Sequence, residues 1–434
     1  MTSPPPTPSG LPLVGHTVGF AADPFGFVAD LLADHGVEDA VGLDVVGMDD
    51  LYVLAHPDHF ERAFVTDRDS IVKGGEFEAA FGDAVIAAEG DEWRRQRDEL
   101  EPFFRWERVD DYAPVMRRQV ERRLRTWPDS GTLSLESEMK AVTLDIIFAT
   151  ILGRELDLDG DVRIRSAADG LNGRFAPASW VLPSWVPTPS RRRFDRADRV
   201  LREEVRELVE TADEESLTRR LADALGTDAD YPATVESLEN QLVGMIFAGH
   251  ETTALALTYA LYLLATHPDV RERAVAEVDR VVGDGPVTAD ATRELPVLER
   301  VIKETLRLYP PVHTLPRETA KPFPTGDRVV PAGTDIHLSI IRIHRDERWY
   351  DAPLAFRPGR WDGDTDRPAY AYLPFGAGPR SCLGRAFALT EAKIVLATAL
   401  CDFDLDWAGD GALAITPEMT TQPKGETPLV VRRR

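Results

Sequence analysis

The stretch TVESLENQLVGMIFAGHETTALALTYALYLLATHP, roughly residues 235–266, constrains the fold more than any other part of the chain. It reads as one long helix that is apolar on most faces. Such a helix must run buried through the middle of a large domain. His250 and Glu251 interrupt its apolar run, whereas a membrane-spanning helix needs about 20 largely uncharged residues. The remaining chain therefore has to wrap around this helix. At 434 residues it is long enough to bury a substantial core without disulfides or metal staples. A prior of roughly 150 residues per domain suggests about three domains, but large enzymes often exceed it.

The neighbouring segments supply the wrapping. PDVRERAVAEVDRVVG places Pro268 near a first helical turn and Gly283 past the last. LPVLERVIKETLRLYPP reads as a helix stopped by Pro310 and Pro311. GRAFALTEAKIVLATALCDF reads as another helix, and the pattern from about 100 to 310 is mostly helical. LYVLA near residue 51 reads as a short strand. DRVVPAGTDIHLSI reads as strand, turn and strand. The expected fold is mainly α, a large helical domain with a minor β-sheet region contributed by both chain ends. Residues 1–15 are a Pro/Gly-rich lead-in, and residues 16–434 are expected to form a single catalytic domain.

The N-terminus has no basic segment followed by an apolar run, so neither a signal peptide nor a membrane anchor is expected. Two cysteines cannot make a disulfide framework, which points to a reducing, cytoplasmic setting. The net charge is −24, with six lysines among the 50 basic residues. Dense carboxylates with little lysine suit a high-salt, halophilic cytoplasm, where salt screens their repulsion. Phosphate binding needs a basic footprint, so a nucleic-acid partner is not expected.

Chemistry concentrates in FGAGPRSCLG, residues 375–384. A small buried hydrophobe is the ordinary role of a free cysteine, and it suits Cys401. For Cys382 it leaves Gly376, Gly378 and Gly384 unexplained. Glycine at that density implies backbone at positive φ, or backbone pressed against something flat or bulky. Cys382 also lies just before a helix start, where free N–H groups favour a thiolate over a thiol. No cysteine-protease signature accompanies it, and no further Cys/His ligands stand at zinc spacing. A single thiolate on a single metal suggests haem, whose porphyrin supplies the in-plane ligands. Arg380 is placed to pair with a propionate.

Phe375, Gly378, Arg380, Cys382 and Gly384 match F-x-x-G-x-R-x-C-x-G, and the chain resembles the cytochrome P450 haem-thiolate monooxygenases. The resemblance implies haem b (iron protoporphyrin IX), with Cys382 as axial ligand and Phe375 shielding its sulfur. Ala248, Gly249, Glu251 and Thr252 match the family's A-G-x-[DE]-T-[TS]. Small residues at 248 and 249 would leave room for oxygen and substrate. Thr252 would hydrogen-bond oxygen or an ordered water, and Glu251 would supply protons. Glu304 and Arg307 match E-x-x-R, and Arg360 would close a buried structural triad, with Trp361 where the family usually has Phe. Trp93 and Arg97 match a W-x-x-x-R helix that reaches a propionate, as would Arg317. For each arginine taken singly, a solvated surface position is the commoner role.

The resemblance further implies O2 as co-substrate and a distal pocket made by Phe77, Phe81, Val85, Ile86, Phe247, Val312 and Leu315. That surface suits a small apolar substrate, with a fatty acid or terpenoid favoured. SWVLPSWVPTP would form part of an entrance lid or a plain surface loop. No flavin or iron–sulfur module is recognisable, so a separate ferredoxin and ferredoxin reductase are the expected electron donors to a monomer. Arg94, Arg95, Arg117, Arg118, Arg122 and Arg123 would form a basic docking patch, or equally a solvated helix face. A peroxide-using or isomerising relative and a non-catalytic haem sensor are the alternatives. The intact Glu251–Thr252 pair argues against both.

Overall fold

A computed structural model of the chain describes residues 3–34, 39–46, 50–175, 186–211, 217–225, 235–363 and 366–434. Eight helices carry the site. They are α1 (Glu76–Phe81), α2 (Gly90–Leu100), α3 (Trp106–Leu124), α4 (Leu135–Thr150), α5 (Val235–Thr266), α6 (Pro268–Val281), α7 (Pro296–Leu308) and α8 (Arg385–Asp402).

Helix α5 has 32 residues, so it spans about 48 Å. Its buried side chains point in all directions, as its lack of a polar face requires. Thr266 and His267 end it by turning their polar groups onto Tyr262 O and Leu263 O. Pro268, with no N–H to leave unpaired, then starts α6. Gly283 follows at φ +55°. Helix α7 stops as the sequence predicts: Tyr309 is extended at φ −130° before Pro310. Helices α4, α7 and α8 pack on α5, and α3 packs on α4 and α8, burying one large apolar core.

A five-stranded sheet stands beside the helices. Its strands are β1 (Ala40–Leu43), β2 (Leu51–Leu54), β3 (Ile71–Val72), β4 (Thr314–Thr319) and β5 (Asp335–Ser339), in the order β1-β2-β5-β4-β3. Only β2 and β5 run parallel, with Val53 opposite His337. Both halves of the chain thus meet in one sheet. The two strands of DRVVPAGTDIHLSI do not pair with each other. Arg328–Val330 pairs with Phe323–Thr325, while β5 joins the large sheet. A three-stranded sheet centred on Pro428–Arg433 and a hairpin, Ile415–Pro417 with Thr421–Pro423, complete the β structure. The hairpin turn carries Thr420 back towards α5.

Candidate functional site

The cysteine loop is built on backbone hydrogen bonds. The Cys382 N–H donates to Phe375 O at 2.8 Å, and the Ser381 N–H to Gly378 O at 3.1 Å. Gly376 and Gly378 adopt φ +71° and +63°, which L side chains rarely tolerate. A Cβ at Gly378 would also lie 2.2 Å from Phe64 O. At Gly384 a Cβ would meet nothing within 4 Å, so chain packing does not demand glycine there.

The Cys382 thiol is solvent-accessible although closely surrounded by protein. Burial pushes its pKa up, against the Gly384 N–H, Arg97 and Arg385. The helix-start argument predicts thiolate stabilisation. The N–H acts in that direction, but in the chain itself desolvation outweighs it.

Arg97 donates to Ser381 O at 2.8 Å and so ties α2 to the loop. The Arg380 guanidinium stacks 4.4 Å over the buried Trp93 ring and pairs with Glu89. Arg317 is half-buried and packs 5.7 Å over the Phe64 ring. Its hydrogen bond goes to Pro316 O at 2.6 Å, and no carboxylate among the described residues lies within ion-pair distance. Burial lowers its pKa to about 10, so it stays charged at neutral pH. Lys73 was not foreseen in the sequence. It donates to Ile86 O at 2.6 Å, and burial beside Arg380 and Arg317 lowers its pKa to about 7. A cavity of about 250 Å³ lies among Phe64, Ile71, Glu89, Trp93, Arg317 and Arg380. An accessible thiol on this loop, and a half-buried Arg317 lining the cavity with no carboxylate at ion-pair distance among the described residues, fit a haem: sulfur for the iron, cations for the propionates.

On α5, Ala248 is exposed and Thr252 half-buried, one turn apart on a helix that is otherwise mostly buried. Thr252 Oγ1 donates to Ala248 O at 2.7 Å. At Gly249 a Cβ would come within 3.1 Å of Ile147 Cδ1 on α4, a close contact with the end of that side chain. His250 is buried against α4, with Nε2 3.0 Å from Lys140 O, and burial lowers its pKa to about 4.

Glu251 is buried on neutral partners. Asn172 Nδ2 donates to Oε1, and Thr420 Oγ1 donates to Oε2 at 2.8 Å. Gln422 Nε2 supports Thr420 at 2.6 Å. Burial raises the carboxyl pKa, while Lys140 and the Thr420 and Gln422 contacts restrain it. Asn172, Thr420 and Gln422 carry no local motif; only the fold brings them here.

The apolar wall gathers Phe81 and Phe247 at 4.7 Å and Phe77 beside Phe175 at 5.1 Å. Phe175, 5.5 Å from Phe247, was missed because nothing around it has a functional spacing. The Val85 N–H donates to Gln241 Oε1 at 3.1 Å, and Ile86 packs beside Gly244. Leu315 packs in the sheet's separate core, and half-buried Val312 belongs to neither core. Within SWVLPSWVPTP, residues 179–185 lie outside the described residues.

Glu304 is fully buried. It receives Arg307 at 2.9 and 3.0 Å, Arg360 at 2.8 Å and the Arg357 N–H at 3.0 Å. Trp361 adds a fifth donor, its Nε1 lying 2.9 Å from Oε2.

The expected basic patch is largely neutralised. Arg94 pairs with Asp91, Arg95 with Glu92 and Glu99, Arg117 with Glu121, and Arg118 with Glu155. Arg122 donates to Leu156 O and Gln119, and Arg123 is buried on Asp145. Most of these carboxylates lie three or four residues away on the same helix, within reach by geometry alone.

A sequence model described as "Cytochrome P450" matches residues 4–428. The cyclooctat-9-en-7-ol 5-monooxygenase of Streptomyces melanosporofaciens is 32% identical over 90% of this chain and 87% of its own. The pentalenene oxygenase of Streptomyces avermitilis is 29% identical over 91% and 89%. The solved cytochrome P450DA heme domain superposes with a TM-score of 0.87 at 25% identity, covering 100% of this chain and 98% of that one. No helix among the described residues is long and apolar enough to cross a membrane.

Proposed function

Because the chain belongs to the cytochrome P450 family and is a monooxygenase, we propose that it inserts one oxygen atom from O2 into a small terpenoid. The observation that carries the substrate class is the aromatic cluster of Phe77, Phe81, Phe175 and Phe247, in which Phe81 and Phe175 are buried while Phe77 and Phe247 stay half-buried. Relatives named for cyclooctat-9-en-7-ol and pentalenene support it. A fatty acid would call for a cation to hold its carboxylate, and none is among these four residues.

The haem, when bound, supplies the redox iron that activates dioxygen. Cys382 would ligate it, and Phe375, Gly376 and Gly384 would frame the sulfur. Arg317, Arg380, Arg97, Trp93 and Lys73 would hold its propionate edge. Thr252 presents a half-buried hydroxyl on α5. Glu251, held by an amide and a hydroxyl, can carry a proton without breaking an ion pair. Glu304, Arg307 and Arg360 would lock the loops below. The same Glu251–Thr252 pair supports O2 over peroxide as oxidant. Electrons would come from a separate ferredoxin and ferredoxin reductase. With the arginines of α2 and α3 paired, docking would rest on shape as much as on charge. The family match over residues 4–428 supports one catalytic domain over 16–434. The lysine-poor acidic composition supports a salt-adapted cytoplasm.

Two spectra test the reading. The reduced, carbon monoxide-treated holoprotein should show the red-shifted thiolate band, and Cys382→Ser should abolish it. A band that survives the substitution overturns the ligand assignment. A screen of cyclic terpenes against fatty acids, read by the low- to high-spin change, should favour the terpenes. Preference for fatty acids would overturn the substrate class.

A further inference from the structure

Residues 82–89 join α1 to α2 with no helix or strand of their own. Gly82 at φ +55° and Gly90 at φ +59° bound the segment. Buried backbone N–H and C=O groups need partners. Local turns satisfy only some: the Ala84 N–H donates to Phe81 O, and the Ala87 and Ala88 N–H groups donate to Ala84 O. Others are answered by side chains from distant parts of the chain, two buried glutamines foremost. Gln241 on α5 accepts the Val85 N–H at 3.1 Å and donates to Gln96 Oε1 on α2. Gln96 Nε2 donates to Asp83 O at 2.8 Å and to Glu92. Both oxygens of the pair accept and both nitrogens donate. Turning either amide over would set donor against donor and acceptor against acceptor, so the pair holds one arrangement. A second anchor lies beside it. Asp83 accepts from Ser237 and, at 2.7 Å, from Asn240. A Cβ at Gly82 would come within 2.4 Å of Asn240 Nδ2, so glycine there lets the segment lie close on α5.

The later carbonyls of the segment serve two cations. Ile86 O accepts from Lys73 at 2.6 Å. Ala88 O accepts from Arg380 at 3.2 Å and from Lys73 at 3.4 Å. Glu89 pairs with Arg380. Arg380 stands two residues before Cys382, lines the cavity that Arg317 also lines, and stacks over Trp93, which shares α2 with Gln96. A flexible cationic side chain is fixed by the oxygens that accept its protons. The position of residues 82–89 therefore sets where Lys73 and Arg380 stand.

We propose that Gln96 and Gln241 are positioning residues for the cofactor edge. They pin residues 82–89, and the carbonyls of Ile86 and Ala88 then hold Lys73 and Arg380 where a propionate would meet them. The inference rests on the P450 reading of the site and deepens it: the cations of that edge are set by a pair of neutral amides as well as by the cysteine loop.

The test reads haem retention, as the rate at which the ferric holoprotein gives up haem to an excess of a scavenging apoglobin. Gln241→Leu is similar in size but cuts the pair, leaving the Val85 N–H and the Gln96 oxygen without partners. It should release haem about tenfold faster, the scale of one lost hydrogen bond. A double-mutant cycle separates positioning from plain destabilisation. In a background carrying Lys73→Met and Arg380→Leu, Gln241→Leu should change the rate by less than about twofold, because the cations through which it acts are gone. Thr258→Val removes a buried hydroxyl bond elsewhere on α5 and should leave the rate unchanged. An unchanged rate in Gln241→Leu overturns the proposal. So does a full acceleration in the background lacking both cations, or an equal acceleration in Thr258→Val. Should Gln241→Leu not yield folded holoprotein, Gln96→Leu cuts the same link from α2 and is read by the same outcomes. The reduced, carbon monoxide-treated spectrum separates the two levels. Loss of the thiolate band in Cys382→Ser together with unchanged haem release in Gln241→Leu sinks this inference alone. A band that survives Cys382→Ser overturns the site reading and this inference with it.

Discussion

Glu251 and Glu304 are both glutamates buried in helices that pack together, yet their surroundings are opposite. Glu304 accepts hydrogen bonds from two arginines, a tryptophan and a backbone amide. Those donors hold its carboxyl below the usual glutamate range, in spite of burial. Glu251 meets an amide and a hydroxyl, and burial holds its carboxyl above that range. Cationic partners make a carboxylate permanent and therefore structural. Neutral, reversible partners leave it free to gain and lose a proton. Glu391 on α8 carries the contrast one step further. Both its oxygens are buried without a hydrogen-bond partner among the described residues, and burial drives its pKa well upward. It belongs in the core as a neutral acid.

The comparison breaks if the two glutamates respond alike to substitution. The largest effect is expected at the ion-paired site. Glu304→Ala strands Arg307 and Arg360 in the interior and should cost about 3–5 kcal/mol, read as a lower urea midpoint. Glu251→Gln should lower product turnover about 100-fold while changing stability, read from the urea midpoint, by less than about 0.5 kcal/mol. Equal stability losses at both sites would erase the distinction. Trp361→Phe sharpens the picture of Glu304 by deleting one donor and keeping the ring. It should cost about 1.5 kcal/mol.

The smallest effect is on pH dependence, and its sign differs between the two. The depressed pKa of Glu304 gives stability that is present above the ordinary glutamate range and lost as pH falls through the depressed value. The raised pKa of Glu251 works the other way. The folded state holds its proton longer, so stability declines as pH rises from the ordinary range through the raised value. Glu251→Gln should flatten that decline and leave the acid limb unchanged. Urea midpoints measured across pH for the natural protein and Glu251→Gln would show it.

What the sequence made legible was short-range. The Cys382 loop, Glu251 with Thr252, and Glu304 with Arg307 each lie within ten residues, where one turn or helix face fixes the geometry. The long apolar helix was legible from periodicity, and its observed ends are Val235 and Thr266. Asn172, Thr420, Phe175 and Lys73 reach the site from elements far apart in the chain, so no spacing marks them. Strand pairing was hidden for the same reason, since β5 has its partners at residues 51–54 and 314–319. For the arginines of α2 and α3 the sequence left a docking patch and a solvated helix face equally open; the carboxylates three and four residues from Arg94, Arg95 and Arg117 pair with them.

Ala248 and Gly249 stand side by side and look interchangeable, but they answer to different neighbours. Ala248 is exposed, whereas Gly249 lies close to Ile147 of α4. A library that varies position 248 therefore explores new catalysts, with side chains projecting over the place where chemistry occurs. One that varies position 249 has first to displace the end of the Ile147 side chain on α4. Adaptability here is set residue by residue, and along α5 it changes sign between one position and the next.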